Sequence, residues 1–221
     1  MARRVPGNRT ADVRPARPPG SGRGTRIIEG VSTDPPAEPA GPGTAGTVDP
    51  VARRRGVLLL AAVAVTVLAL DLVTKIAAVA NLEDRAPLTV IDGFFYLTLL
   101  RNPGAAWSMA TGYTWILTIV AVVVVGVIIR IARRLASVGW AVGLGLVLGG
   151  ALGNLVDRFF RAPGPMRGHV VDMLAVFSPD GSVFPVFNLA DSGIVCGGIL
   201  LVLIALRGIE IDGSRVADQR G

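Results

Sequence analysis

The chain has 221 residues, of which 51% are hydrophobic and 17% are charged. Because a soluble domain carries about 25% charged residues, this composition excludes an ordinary soluble domain and favours an integral membrane protein. The net charge of +6 does not indicate a nucleic-acid partner, because the arginines lie in a polar N-terminal segment and at the ends of apolar stretches. A single cysteine, Cys196, and a single histidine, His169, exclude a disulfide framework and a Cys/His metal cluster.

Residues 1–52 are rich in Arg, Pro and Gly and contain almost no large apolar side chains. Such a segment cannot bury enough apolar surface to offset the entropy lost on ordering, so we predict a disordered cytoplasmic tail. The alternative is a basic tether that binds the membrane electrostatically.

Four apolar stretches follow, at 57–80, 113–129, 135–156 and 187–206. A helix needs roughly 17–25 residues to cross about 30 Å of hydrocarbon. The predicted fold class is therefore an all-α integral membrane protein, with four transmembrane helices in one domain of residues 53–208. Repeated glycines in the third stretch predict close packing of neighbouring helices.

The first stretch has a second interpretation as a cleavable secretory signal. Three arginines at 53–55 precede it, and the small residues 78–80 resemble a cleavage site. However, the stretch exceeds the usual h-region of roughly 7–15 residues. Asp71 and Lys75 also lie in its far part. We therefore favour a retained membrane helix.

Basic residues at the helix ends predict the orientation in the membrane. Arginines precede the first stretch, follow the second and follow the fourth. Because cytoplasmic loops carry an excess of Lys and Arg, we predict that both termini are cytoplasmic, including a short C-terminal tail at 209–221. Loops 81–112 and 157–186 then face the outside.

Turn signals divide these outer loops. Asp92 and Gly93 precede an apolar run at 94–99, which predicts a small β element on the outer membrane surface. Asp180, which lies next to Gly181, is typical of a turn residue.

The remaining acidic residues are the candidate functional groups. An acidic side chain costs roughly 2.5–3.5 kcal/mol at the centre of a membrane helix, so its presence there indicates function. By their positions along the chain, Asp71, Asp157, Asp172 and Asp191 all fall near the outer water interface. Two carboxylates in a partly dry site cannot both ionise easily, so one keeps a proton. Such a pair provides the general base and general acid of an aspartic peptidase.

Other interpretations of the same residues remain open. Asp71, Asp157 and Asp191 are also compatible with the cation path of a small transporter or channel, and a non-catalytic scaffold is a third class. Asp71 and Lys75, four residues apart, predict an ion pair. Asp157 and Arg158 are compatible with an ordinary interfacial ion pair.

Five short motifs occur in order along the apolar core. They are Asp-Leu-Val-Thr-Lys at 71–75, Asn-Pro-Gly-Ala-Ala at 102–106, Gly-Gly-Ala-Leu-Gly-Asn-Leu-Val-Asp-Arg at 149–158, Val-Val-Asp at 170–172 and Phe-Asn-Leu-Ala-Asp-Ser at 187–192. Together these motifs resemble the successive motifs of the bacterial lipoprotein signal peptidase (signal peptidase II) family, and the resemblance covers about residues 57–206.

The resemblance implies a membrane aspartic endopeptidase whose catalytic pair is Asp172 and Asp191. Its expected activity is removal of the signal peptide from diacylglyceryl-modified prolipoproteins by cleavage just before the lipidated cysteine. It implies no metal and no organic cofactor. Supporting or substrate-binding roles are implied for Asp71, Lys75, Asn102, Gly104, Asn154, Asp157, Arg158 and Asn188.

The same resemblance implies a place in the bacterial cytoplasmic membrane, with the active site near the outer face. We expect a monomer whose partners are its lipid-modified prolipoprotein substrate and the membrane lipids. The long tail and a Pro-Gly-Pro insertion at 163–165 depart from the compact family pattern.

Overall fold

The four apolar stretches form four long helices in the computed structural model, which describes residues 49–104 and 114–215. All four helices are long and apolar enough to cross a membrane, so the predicted four-helix membrane fold is confirmed. They are α1 (Pro50–Leu82), α2 (Thr114–Ile131), α3 (Val138–Phe160) and α4 (Leu189–Leu206).

α1 begins seven residues ahead of the predicted stretch, at Pro50, and takes in the last residues assigned to the tail. The Asp49 carboxylate accepts hydrogen bonds from the backbone N–H groups of Val51 (3.0 Å) and Ala52 (3.3 Å). A proline in the first turn has no N–H that would need a partner there. This cap starts the helix before its arginines. Most of the predicted tail, residues 1–48, lies outside the described residues.

The helices turn apolar side chains outward and polar ones inward. On α1, Val65 and Ile76 are each 64% exposed, whereas Asp71 and Lys75 on the same helix are fully buried. Water would penalise such a surface, but the hydrocarbon of a bilayer accepts it. The burial pattern therefore supports a membrane location independently of helix length.

α3 is the central helix, because α1, α2 and α4 all pack against it. Its glycines permit close approach. A Cβ atom at Gly149 would lie 2.6 Å from the carbonyl oxygen of Ala64 in α1, and one at Gly150 would lie closer still to the carbonyl oxygen of Ala190 in α4. No larger residue has room at these positions, so the predicted packing through glycines is confirmed.

A three-stranded antiparallel sheet in the order β1-β2-β3 lies at one end of the bundle. Strands β1 (Leu88–Ile91) and β2 (Phe95–Asn102) form the predicted element of the first loop, joined through Gly93 at φ +70°. The third strand, β3 (Val170–Val176), comes from the second loop and was not predicted. It pairs Asp172 with Leu100 of β2 and so ties the two loops together.

The opposite end of the bundle is closed by the chain that follows α4. A 3-10 helix (Ala132–Arg134) connects α2 to the start of α3. There, the backbone N–H groups of Ala136 and Ser137 both donate to the carbonyl oxygen of Ile211 at 3.0 Å. The first residues of the predicted C-terminal tail therefore pack against the α2–α3 junction; residues 216–221 lie outside the described residues.

Candidate active site

The predicted site residues converge at the sheet end of the bundle. α1 supplies Asp71 and Lys75, and the loops and sheet supply Asn102, Gly104 and Asp172. The last turns of α3 and the first turn of α4 complete the group. Asp71, Lys75, Asp157, Arg158, Asp172 and Asn188 are all buried.

Asp172 is held in the middle of β3 and is only 1% exposed. Its Oδ2 accepts a hydrogen bond from the side-chain amide of Asn102 at 2.9 Å, and its Oδ1 accepts one from the side-chain amide of Asn188 at 2.7 Å. Because β3 pairs with β2, the strand that ends at Asn102, the sheet itself sets the first of these contacts.

Asp191 lies in the first turn of α4, where it forms a capping box with Asn188. The Asn188 side-chain oxygen accepts from the Asp191 backbone N–H at 2.9 Å, and Asp191 Oδ2 accepts from the Asn188 backbone N–H at 3.2 Å. Asp191 Oδ1 accepts from the side-chain amide of Asn154 on α3 at 2.8 Å. These contacts fix the orientation of the carboxylate, which is partly open to solvent.

Asn188 connects the two carboxylates, since it donates to Asp172 through its side chain and to Asp191 through its backbone. Its side-chain nitrogen also lies 3.2 Å from Asn154 Oδ1 and 3.3 Å from the Val171 carbonyl oxygen. Because the Asn188 side-chain amide is fully buried and has all these partners, it is held in one orientation. Asp172 and Asp191 thus converge on one residue, Asn188.

Lys75 neutralises two buried carboxylates behind this pair. Its Nζ lies 2.8 Å from Asp71 Oδ2 and 2.9 Å from Asp157 Oδ2, and it donates to Asn154 Oδ1 at 3.1 Å. The predicted Asp71–Lys75 pair is confirmed. Asp71 Oδ1 accepts from the backbone N–H of Ala190 at 2.9 Å, so α1 holds the start of α4.

Asp157 and Arg158 are neighbours in sequence but have separate partners. Asp157 pairs with Lys75 and Arg161 and accepts from the backbone N–H of Val171 at 3.1 Å. The Arg158 guanidinium donates instead to the carbonyl oxygens of Gly104 (3.1 Å) and Gly168 (3.4 Å). The suggested ion pair between Asp157 and Arg158 was therefore wrong, because successive helical residues point in different directions.

The electrostatics of the site favour a neutral Asp172. Burial, together with the negative charge of Asp191, raises the pKa of Asp172 to about 7, although the hydrogen bonds from Asn102 and Asn188 act in the opposite direction. Near neutral pH this carboxyl therefore retains a proton in a substantial fraction of molecules. A protonated and an ionised carboxyl side by side can donate a proton and accept one in the same reaction.

Several partners of the site were not predicted. Arg161, Gly168 and the backbone of Val171 contact the motif residues from the second loop. The Asn188–Asp191 capping box had a signal in the sequence, because an N-cap residue followed three positions later by an acidic residue is typical of a helix start. The backbone contacts had no such signal in the sequence, since any residue can supply a backbone N–H or carbonyl group.

The two acidic turn residues lie away from this cluster. Asp180 accepts hydrogen bonds from Ser178 and Ser182 in a turn that includes Gly181 at φ +75°, as predicted. Asp92 lies in the exposed β1–β2 turn. Within residues 49–104 and 114–215, no group of three or more His, Cys, Asp and Glu side chains is arranged to hold a metal ion.

Four apolar helices around one buried polar cluster define a multi-pass membrane protein with its ionisable site at one end of the bundle. Residues 63–207 match the family model described as signal peptidase (SPase) II. The chain belongs to this family and is therefore a peptidase of the bacterial membrane.

Curated relatives extend this similarity over most of the chain. A lipoprotein signal peptidase of Rhodococcus jostii (strain RHA1) is 56% identical over 196 residues, covering 85% of this chain and 96% of the relative. One of Mycobacterium tuberculosis (strain ATCC 25618 / H37Rv) is 51% identical over 189 residues, covering 85% and 91%.

Two solved structures are similar in fold. Both are described as a bacterial membrane enzyme determined by the in meso method, at 2.3 and 1.9 Å resolution, and each has a TM-score of 0.56 and 30% sequence identity. The first covers 69% of this chain and 88% of that structure, and the second covers 70% and 94%.

Proposed function

We propose that this chain is an aspartic endopeptidase that removes the signal peptide from diacylglyceryl-modified prolipoproteins, cleaving just before the lipidated cysteine. The observation that carries the aspartic assignment is the contact of Asn188 with both Asp172 and Asp191. The names of the curated relatives support the lipoprotein substrate.

In the proposed reaction the ionised Asp191 removes a proton from a water molecule, which attacks the carbonyl carbon of the scissile peptide bond. Asp172 donates its proton to the carbonyl oxygen, and a neutral tetrahedral diol forms. As this intermediate collapses, the C–N bond breaks, the proton on Asp191 passes to the leaving amine and a hydroxyl proton of the diol returns to Asp172. The pKa of Asp172, raised to about 7 by burial and by Asp191, supports giving Asp172 the initial proton.

The surrounding residues position this pair in the proposed mechanism. Asn102, Asn154 and Asn188 orient the two carboxyl groups through hydrogen bonds that carry no charge of their own. Behind them, Lys75 balances Asp71 and Asp157. Arg158 holds Gly104, which follows β2, next to the site. Preorganised groups of this kind lower the reorganisation needed at the moment of reaction.

The transporter alternative is less well supported than the peptidase. A cation path requires ionisable groups at successive depths across the membrane. Asp71, Asp157 and Asp191 instead share one polar cluster through Lys75 and Asn154. Their common depth suits a reaction at one membrane surface.

We further propose that the cluster lies near the outer membrane face, that both termini are cytoplasmic and that the enzyme works as a monomer. The substrate's lipid then lies against the apolar helices, and its signal peptide lies beside them in the membrane. This arrangement presents the peptide bond at the interface, where water reaches the partly exposed Asp191.

The decisive experiment compares cleavage of a diacylglyceryl-modified prolipoprotein by purified wild type, Asp172→Asn and Asp191→Asn. Asp180→Asn is the matched control, because Asp180 lies in the same loop region but is exposed in a turn that asparagine can also form. We expect each site variant to fold, to bind substrate and to lose at least about 10³-fold in kcat, since removing a member of a catalytic unit abolishes its shared function. Asp180→Asn should cleave like wild type.

Each alternative outcome has a distinct meaning. Cleavage by either folded site variant at near wild-type rate would mean that the catalytic pair is misassigned. A folded wild type that cleaves an unmodified precursor equally well would overturn the lipid-dependent substrate but leave the dyad standing.

A further inference from the structure

A groove opens between α1 and α2 at the end of the bundle remote from the carboxylates. Both helices pack on α3 but make almost no contact with each other. The space left between them is about 670 Å³, and most of the surface that lines it is apolar. Its walls and floor, which define the α1–α2 groove, include Val57, Leu58, Ala61, Ile128, Ile129 and Leu148.

Three arginines form the rim of the α1–α2 groove. Arg53 and Arg54 come from the first turns of α1, and Arg133 comes from the 3-10 helix after α2. All three are exposed, and no carboxylate of residues 49–104 or 114–215 pairs with them. The nearby Asp49 is already engaged as the cap of α1. The mouth therefore carries uncompensated positive charge above an apolar interior.

We propose that the α1–α2 groove binds one anionic phospholipid of the surrounding bilayer, with an acyl chain between the helices and the phosphate among Arg53, Arg54 and Arg133. From Arg53 to Ala61 α1 rises about 12 Å, which accommodates a large part of one acyl chain. Basic pockets between membrane helices are known to select anionic head groups. This inference requires only that the chain spans a membrane and does not depend on the proposed peptidase mechanism.

Charge complementarity distinguishes this occupant from two others. A substrate signal peptide begins with a basic n-region, which three unpaired arginines would repel. A second copy of this chain would bring the same arginines to the contact and is repelled for the same reason. A zwitterionic lipid has acyl chains of the same kind but no net charge, so the arginines give it no preference.

The test measures lipid selectivity of the full chain reconstituted in phosphatidylcholine vesicles. Electron paramagnetic resonance of spin-labelled phosphatidylglycerol and phosphatidylcholine reports the fraction of each lipid that the protein immobilises. An arginine near an anionic lipid phosphate strengthens lipid binding by about fivefold. The three rim arginines should therefore favour phosphatidylglycerol over phosphatidylcholine in the groove by up to about 100-fold, and Arg54→Gln/Arg133→Gln should reduce that preference to about fivefold.

The matched control is Arg130→Gln/Arg134→Gln, which removes the same charge from the same end of the bundle but from outside the groove. It should retain most of the selectivity. An equal loss in both double variants would mean diffuse surface attraction and would overturn the site. No loss in the rim variant would equally overturn it, and would point to another occupant, such as the N-terminal segment.

A second variant tests the apolar part of the proposal without changing charge. Ala61 lines the groove and is exposed, so Ala61→Trp fills the space while the fold has room to accept it. The immobilised phosphatidylglycerol should fall to the level of phosphatidylcholine. If full selectivity survives this substitution, the lipid is not bound in the groove.

Discussion

At the scale of single residues, the candidate active site consists of neutral amides around carboxylates, with its cations one layer behind. Asn102, Asn154 and Asn188 contact Asp172 or Asp191 directly, whereas Lys75 reaches Asn154 rather than either member of the pair. A cation in direct contact would favour ionisation of both carboxyl groups. Neutral amides orient the two carboxyl groups but favour their ionisation less than a cation would. The pair can therefore hold one proton at neutral pH.

This arrangement predicts how activity depends on pH. Because the proposed mechanism requires the proton on Asp172, whose pKa is raised to about 7, kcat/KM should fall as the pH rises through about 7. The hydrogen bond from Asn102 lowers that pKa by stabilising the charged form. Asn102→Leu removes the donor, so the pKa of Asp172 should rise and the alkaline limb of kcat/KM should move to higher pH.

The control for this shift is Asn81→Leu, because Asn81 is exposed on α1 and its side-chain amide donates to the Ala77 carbonyl oxygen, away from the carboxylates. Its pH profile should match wild type. An alkaline limb that moves to lower pH in Asn102→Leu would contradict the role given to this amide. A limb that does not move would mean that a different group titrates.

The buried Lys75 cluster predicts a large effect on stability. Lys75→Met leaves Asp71 and Asp157, which are 0% and 1% exposed, without their shared cation. Breaking a buried pair by removing one partner typically costs about 3–5 kcal/mol. Arg101→Met breaks the exposed pair with Glu83, where the expected cost is about 0–1 kcal/mol.

Thermal unfolding in detergent, followed by tryptophan fluorescence, measures both variants of this comparison. We expect Arg101→Met to have an unfolding midpoint similar to that of wild type, and Lys75→Met to have a midpoint well below both. Equal midpoints for the two variants would mean that Asp71 and Asp157 take up protons or find other partners once Lys75 is lost.

At the scale of helices and strands, the glycines of α3 determine how closely its neighbours approach. Gly149→Ala would place a Cβ atom 2.6 Å from the Ala64 carbonyl oxygen and 2.7 Å from the Val67 side chain, so α1 and α3 must separate. Overpacking of this kind typically costs about 1–3 kcal/mol. The separation would also shift Lys75 relative to α3, so we expect lower activity together with a lower unfolding midpoint.

Gly126→Ala in α2 is the matched control for this prediction, since a Cβ atom there meets nothing within 4 Å. Alanine is a better helix former than glycine by up to about 1 kcal/mol, so this variant should be as stable as wild type or more stable. The packing role of α3 would be refuted if Gly149→Ala and Gly126→Ala changed the midpoint alike.

The helices were more predictable than the sheet for a physical reason. A stretch such as 113–129 contains no charged residue, and a membrane helix is the structure that satisfies the backbone of so long an apolar segment. β3 is a seven-residue run that is buried on both faces, so it lacks the alternation that marks a half-buried strand. Its pairing with β2 joins two loops that are far apart in sequence, which a local pattern cannot reveal.

The candidate site was predictable to a similar extent. The common depth of Asp71, Asp157, Asp172 and Asp191 followed from counting residues along helices of known rise. The hydrogen-bond partner of each group could not be predicted in this way, because a contact such as that of Arg158 with the Gly104 carbonyl oxygen depends on the path of a loop. The depth of the aspartates and the resemblance to a known family predicted which residues belong to the site, and tertiary packing determined their connections.

At the scale of the whole molecule, the two ends of the bundle differ in how their arginines are used. At the site end, Arg101, Arg158 and Arg161 are engaged with Glu83, the Gly104 carbonyl oxygen and Asp157. At the other end, Arg53, Arg54 and Arg133 pair with no carboxylate among the described residues. Because basic residues near the ends of membrane helices favour the cytoplasmic side, the arginines at this end support the proposed orientation, with both termini cytoplasmic.

This asymmetry predicts which surfaces a membrane-impermeant maleimide reaches in intact cells. The native Cys196 is exposed in the middle of α4, where the bilayer would shield it, and Cys196→Ala provides a background without thiols. In that background Val183→Cys, 64% exposed in the second loop, should react from outside. Arg134→Cys, exposed after α2, should react only after the membrane is permeabilised. The reverse pattern would put the carboxylates on the cytoplasmic side, where a peptidase of exported precursors would meet its substrate before translocation rather than after it.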